Sequence, residues 1–220
     1  MERKFNFSLG EYYHIYNRGI EKREVFLDGG DRERFLRLLY VANGNKSFKY
    51  SDIKNLSYPK IIRGESRTAI GAYCLMSNHF HILAKETQEG GISAFMEKLM
   101  TGYSMYFNKK YSRVGPLFQG RFKAQHVGND NYLKYLFAYI HLNPVKLIEP
   151  EWKEKGILNM KRTETHLNNY RFSSHADYKG IIREENAILT VNEFPEYFTK
   201  PREFGDFIEE WLSYGNPGQP

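Results

Sequence analysis

Strand-like runs at residues 11–17, 68–76, 79–85 and 117–127, with helical periodicities between and after them, predict an α+β protein. The resulting order is strand, helix, strand, strand, helix, strand, helix, which matches a ferredoxin-like layout: an antiparallel sheet with helices packed on one face. A change in charge near residue 150 sets off 151–220 as a C-terminal extension. Residues 1–150 hold 23 basic and 14 acidic side chains, a net of +9, whereas 151–220 hold 9 and 12, a net of −3.

Each element has a local reason. The run Glu11 to Asn17 (EYYHIYN) is aromatic and β-branched and stops at Arg18 and Gly19, as a first strand does. After a turn through Asp28, Gly29 and Gly30, Asp31 stands as an N-cap before Phe35, Leu38, Leu39 and Ala42 at helical spacing. Residues 44–67 are polar without a sustained period and form an exposed excursion. Thr68 to Met76 and His79 to Lys85 are β-like runs parted only by Ser77 and Asn78, a tight hairpin in mid-sheet. Ile92, Phe95, Met96, Leu99, Met100, Tyr103 and Tyr106 recur every three or four residues, a second helix running to about Lys110. Leu117 to Val127 alternates as a strand. Asn129 and Asp130 then cap a third helix carrying Tyr132, Leu133, Leu136, Phe137 and Ile140, which meets Pro144. The extension reads as irregular turns at 168–174, a segment around Phe194 to Phe198 and a short helix from Arg202 to Leu212.

A chain of 220 residues, 41% apolar, is long enough to bury a core without staples, and its single cysteine, Cys74, cannot form an internal disulfide. A reducing, cytoplasmic setting is expected. The longest apolar runs are too short for a membrane span, and MERKFNFSLG lacks an apolar signal core. Between Lys98 and Lys146 eight basic residues face one acid, Asp130, amid many Tyr and Phe. Cations that neutralise phosphates and rings that stack on unpaired bases suit single-stranded nucleic acid; a solvated basic face over an aromatic core would have the same composition.

The chemistry-bearing pattern starts in the hairpin. His79 and His81 are two apart in a strand, so both imidazoles share one face with Phe80 behind them. Tyr139 and Asn143 are four apart on the third helix and share a face as well. If that helix crosses the strand, a phenol, two imidazoles and an amide converge. Mg2+ or Mn2+ on His79, His81 and the Asn143 oxygen would keep positions open for water and a phosphate. Tyr135, one turn before Tyr139, is the rival nucleophile. His14, His126, His141, His166 and His175 have no same-face partner readable from the chain. Arg18, Arg121, Lys123 and Lys146 are candidate DNA contacts, at strand ends or on the basic stretch.

AYCLMSNHFHIL (Ala72 to Leu83), GPLFQGRFKA (Gly115 to Ala124) and YIHLNPVK (Tyr139 to Lys146) resemble the single-tyrosine HUH transposases, particularly their REP-associated tyrosine transposase branch. YYHIYNRG and YRFSSHADY extend the resemblance from about residue 11 to residue 180. It implies that residues 1–150 are a catalytic domain that cleaves and rejoins single-stranded DNA at hairpin, REP-like sequences, as monomer or homodimer. By that resemblance His79 and His81 are the HUH histidines, Tyr139 the nucleophile that takes the 5′ phosphate, and Asn143 the polar metal ligand. Ser77 departs from it, standing where a proline is usual, and the 44–67 excursion is longer. Two other readings compete: a domesticated, non-cleaving binder of DNA or RNA hairpins, and a hydrolytic metalloenzyme in which Tyr139 is incidental.

Overall fold

The computed structural model describes residues 6–213; the residues at either end of the chain, including parts of the N-terminal and C-terminal readings above, lie outside the described residues. Its strands are β1 (Tyr12–Arg18), β2 (Thr68–Leu75), β3 (His79–Glu86) and β4 (Lys123–His126), in one sheet ordered β2-β3-β1-β4 with every neighbouring pair antiparallel. The helices are α1 (Gly29–Ala42), α2 (Tyr50–Ile53), α3 (Gly91–Lys110), α4 (Asp130–Leu142), α5 (Trp152–Lys155), α6 (Met160–Asn169), α7 (His175–Tyr178) and α8 (Pro201–Ser213). β1 and β2 flank β3 through α1, and β3 and β4 flank β1 through α3. This is the ferredoxin-like sheet that the element order predicts.

The expectation that helices pack on one face holds for α1 and α3 and is corrected for α4. Phe80, Ile82 and Ala84 of β3 join one core with α1 and α3, whereas Leu83, with Ala69, Ala72 and Cys74 of β2, joins another with α4. The physical reason lies in β2, whose eight residues TAIGAYCL are all buried. A strand apolar on both faces needs cover on both. Among the described residues no helix is long and apolar enough to cross a membrane.

Three local expectations shift. Asp28 rather than Asp31 caps α1, accepting the Asp31 N–H at 2.8 Å. Asp31 is fully buried and accepts from Leu27 N, Tyr106 Oη, Lys110 Nζ and Tyr111 Oη, tying α1 to α3. Only residues 123–126 of the 117–127 run join the sheet, the earlier part touching it through a bridge between Gly19 and Phe118. α6 (Met160–Asn169) stands where the sequence reading assigned no element, ending at the first of the expected turns, and the Asn159 side chain caps it by accepting the Arg162 N–H.

Residues after 150 close the free edge of β2. Phe172 O accepts from Leu75 N, Tyr73 O from Ser174 N, and Thr190 N donates to Ile70 O. The Ser174 hydroxyl accepts from Tyr73 N at 2.9 Å and lies 2.7 Å from His141 Nε2. At the β2 bulge, a Cβ on Gly71 would come within 2.7 Å of the Phe194 ring, so only glycine lets that ring close.

Candidate active site

The sheet places the site. In the β1–β3 ladder Tyr16 stands opposite His81 and Arg18 opposite His79, so Arg18, Tyr16 and His14 share a face with both histidines. Lys123 of β4 stands opposite Tyr16 on that same face, its ammonium 6.0 Å from the ring. α4 crosses this face. Asn129 starts it by accepting the Tyr132 N–H at 2.8 Å; Pro144, lacking an N–H, ends the α-helical pattern, and the tighter turn Asn143–Leu147 follows.

Here Tyr139 meets the histidines. Its ring centroid lies 5.3 Å from His81 and 5.7 Å from His14, edge to face in both cases, and the His79 and His81 rings are 5.0 Å apart. The Asn143 amide donates to the Tyr139 carbonyl at 2.7 Å, which leaves its oxygen to serve a cation. Tyr132, Tyr135 and Tyr139 form a stacked row along α4, but Tyr135 is buried beneath Trp211 of α8, 5.5 Å away. His14, unassigned by spacing, is buried and joined to His81: its Nε2 lies 2.9 Å from His81 Nδ1. The His141 ring, by contrast, is fully buried among the extension's side chains, away from this cluster.

Burial, with the charges of Arg18 and Lys146 adding to it, pulls the His79 imidazole down to about 4. Burial, reinforced by His14, His79 and Lys146, holds His81 well below the usual histidine range. Both rings are therefore neutral near pH 7, the state that donates a lone pair to a metal. Burial raises the Tyr139 hydroxyl, Tyr135 and Tyr16 add to that, and the Asn143 side chain pulls the other way. A pocket beside the phenol is lined by Tyr139, Asn143, Lys146, Trp152, Lys153 and Trp211. Lys153 Nζ stands 5.1 Å from the Tyr139 ring centroid.

Among the described residues no three His, Cys, Asp or Glu side chains gather as a metal-ligating group. The available set is two imidazoles and an amide oxygen. One observation fits it to a cation: His81 Nε2 is buried and has no hydrogen-bond partner. A buried polar atom left unpaired is costly, and a cation would satisfy it.

Arg18 and Lys146 thus lie close enough to bias His79, Lys123 is on the site face, and Arg121 is exposed in the turn leading to β4. Several cations of the basic stretch are engaged within the protein. Lys110 pairs with Asp28 and Asp31, Lys134 with Asp130, and Lys98 donates to two backbone carbonyls. Sequence reasoning missed His14, Lys153 and Trp211. The aromatic alternation of β1 held a signal for His14; nothing local marked the other two.

Fold and site together define an α+β protein with a histidine-tyrosine cluster on one face of a ferredoxin-like sheet. The family model described as IS200-like transposase matches residues 10–143, and the chain belongs to that transposase family, whose members process DNA. A comparison with curated proteins finds no match. Among solved structures, a REP-associated tyrosine transposase bound to a REP hairpin is similar at 14% identity, covering 84% of this chain and 90% of the other, with a TM-score of 0.49. A bacterial tRNA(His) guanylyltransferase-like protein in complex with ATP is similar at 11% identity over 77% of this chain and 72% of that one, TM-score 0.38. The tRNA(His) guanylyltransferase of Saccharomyces cerevisiae is similar at 13% identity over 91% and 87%, TM-score 0.36.

Proposed function

We propose that the protein is a metal-dependent transposase that cleaves and rejoins single-stranded DNA at hairpin-forming, REP-like sequences, with Tyr139 as nucleophile. The observation that carries this reading is the meeting of Tyr139 with His81, whose buried Nε2 has no partner. His79, His81 and the Asn143 oxygen would hold Mg2+ or Mn2+, which when bound offsets the negative charge of the scissile phosphodiester. The Tyr139 oxygen attacks phosphorus, forming a bond to the 5′ phosphate as the bond to the 3′ oxygen breaks. The phenol gives up its proton and the departing 3′ oxygen takes one up. The phosphotyrosine link conserves the bond energy, so another 3′ hydroxyl can reverse the step.

The phenol's environment opposes ionisation through burial, so it needs a nearby positive charge. Lys153, 5.1 Å from the ring, and Lys146 in the same pocket supply it. Arg18, Lys123 and Arg121 extend the positive surface along the sheet and would position the strand through its phosphates. Tyr135, beneath Trp211, is a stacking partner of the nucleophile rather than its replacement.

The test is a labelled single-stranded hairpin incubated with the protein, with and without Mg2+ or Mn2+, then run on a denaturing gel. A cation-dependent covalent species that disappears in Tyr139→Phe, with hairpin binding retained, is expected. An undiminished adduct in that variant would falsify the assignment. Free 5′ phosphates without adduct would indicate hydrolysis, and binding with neither product would indicate the non-cleaving reading.

A further inference from the structure

In both histidines of the site Nδ1 is occupied by a neighbouring side chain. His79 Nδ1 lies 2.6 Å from Asn78 Oδ1, while Asn78 Nδ2 donates to Lys22 O at 3.0 Å. The amide's orientation is thus set by the carbonyl, and an amide oxygen only accepts. His79 Nδ1 must therefore carry the proton, which leaves Nε2 with its lone pair. His81 Nδ1 lies 2.9 Å from His14 Nε2, in two nearly parallel rings whose planes differ by 23°. One of the two nitrogens carries the proton. If His81 donates, its own Nε2 is a bare lone pair, buried and unpaired. If His14 donates, His81 Nε2 becomes a buried N–H with nothing to receive it and no lone pair for a cation.

We propose that His14 and Asn78 are positioning residues that hold His81 and His79 in the same tautomer, each with Nδ1–H engaged and Nε2 presented to one cation. The inference rests on the metal reading above. The two devices differ in origin. Asn78 comes from the hairpin turn, fixed from behind by the loop that follows β1. His14 comes from mid-β1, across the ladder and two residues off the position directly opposite His81. Such partners around metal-bound imidazoles fix ring orientation and raise ligand basicity, and losing one costs on the order of 10–100-fold in metal affinity.

The experiment measures Mn2+ binding to the full chain without DNA, by the electron paramagnetic resonance signal of free Mn2+. His81→Ala, His14→Phe, His14→Gln, Asn78→Leu and Asn78→Asp are compared with wild type. His81→Ala should lose the site. His14→Phe and Asn78→Leu should weaken binding by roughly 10–100-fold. His14→Gln and Asn78→Asp, which still present an acceptor oxygen, should recover most of it. In the same chain, 15N shifts of the imidazoles should report Nδ1–H for His79 and His81, a reading that needs no variant to fold.

Wild-type affinity in His14→Phe and Asn78→Leu, while His81→Ala has lost the site, would overturn this inference and leave the metal reading standing. An Nε2–H tautomer for His81 in the metal-free chain would also overturn this inference, and the Mn2+ titration of wild type and His81→Ala then decides the metal reading on its own. A wild-type protein that takes up no Mn2+, or a His81→Ala protein that takes up as much, would overturn the metal reading and this inference with it.

Discussion

Tyr139 and Tyr135 are chemically identical and one helical turn apart, so their surroundings must separate them. Tyr139 faces two imidazoles; Tyr135 faces an indole. Tyr135→Phe is therefore expected to keep adduct formation within a few-fold of wild type in the hairpin assay, whereas Asn143→Leu, which removes the amide oxygen proposed as a metal ligand, should reduce it by about 10-fold or more. Asp31 makes a different case. Burial raises its carboxyl, but the Lys110 ammonium, the Tyr111 hydroxyl and the Leu27 N–H outweigh it and leave the pKa below the usual value. A depressed carboxyl stabilises the fold above its unfolded pKa, and that contribution fades as pH falls through the folded one. Asp31→Asn should cost about 1–3 kcal/mol by urea titration, because the fully buried carboxylate loses its charge-assisted bonds to Leu27 N, Tyr106 and Tyr111, while Lys110, partly exposed, keeps Asp28. A loss below about 0.5 kcal/mol would contradict the role given to this carboxylate.

Elements decide how the site is enclosed. α5 and α8 supply Lys153 and Trp211, both beyond the family match at residues 10–143. Lys153→Ala should lower the rate of adduct formation by roughly 10–100-fold, as loss of a charged contact worth about 1.5–3 kcal/mol would, without changing the melting temperature. Single-turnover kinetics on the labelled hairpin check it. Between them, after α6, α7 is anchored to β2 through the Ser174 hydroxyl before its first turn, which serves both Tyr73 N and His141. Ser174→Ala leaves two buried groups unpaired and should destabilise the protein by about 1–3 kcal/mol by denaturant titration.

The elements also mark how far sequence reading reached. Alternation exposed the shared face of His79 and His81, and helical spacing joined Tyr139 to Asn143, because both patterns are local and repeat within a few residues. β2's unbroken apolar run held the evidence that α4 crosses the far face, but a continuous run does not say which element supplies the cover. His14 needs the register of a ladder spanning 67 residues to reach His81. Lys153 and Trp211 need the path of the extension, and α6 has too few apolar positions to announce itself.

At the scale of the molecule, neutral histidines set its response to acid. Burial holds His14 and His175 at about 4, with Lys179 and Arg183 adding to the effect at His175, and burial first of all holds His81 and His141 well below the usual range. Each folded pKa is depressed, so below about 6.5 the unfolded chain binds more protons than the folded one. Stability should be full above that pH and fall steadily between about 6.5 and 4, by up to ~1.4 kcal/mol per pH unit for each such group. Melting temperatures measured across pH 4–8 test this; a flat profile would contradict it. DNA binding should weaken with salt, and Arg18→Ala and Lys146→Ala should each reduce the slope by about 1.

The seam between β2 and the residues that follow 150 has a consequence for how the chain becomes a protein. Tyr73 and Ser174 are 101 positions apart, and their bond closes a loop over nearly half the molecule. Contacts of such separation form late, because loop entropy must be overcome before they contribute. Until then β2 offers unpaired backbone groups along an apolar edge, a template for strand addition by another chain. A nascent or proteolytically shortened chain ending near residue 150 would therefore carry His79, His81, Tyr139 and Asn143 and yet be prone to aggregate, with the β2 edge that Phe172, Ser174 and Thr190 otherwise cover left open to another chain.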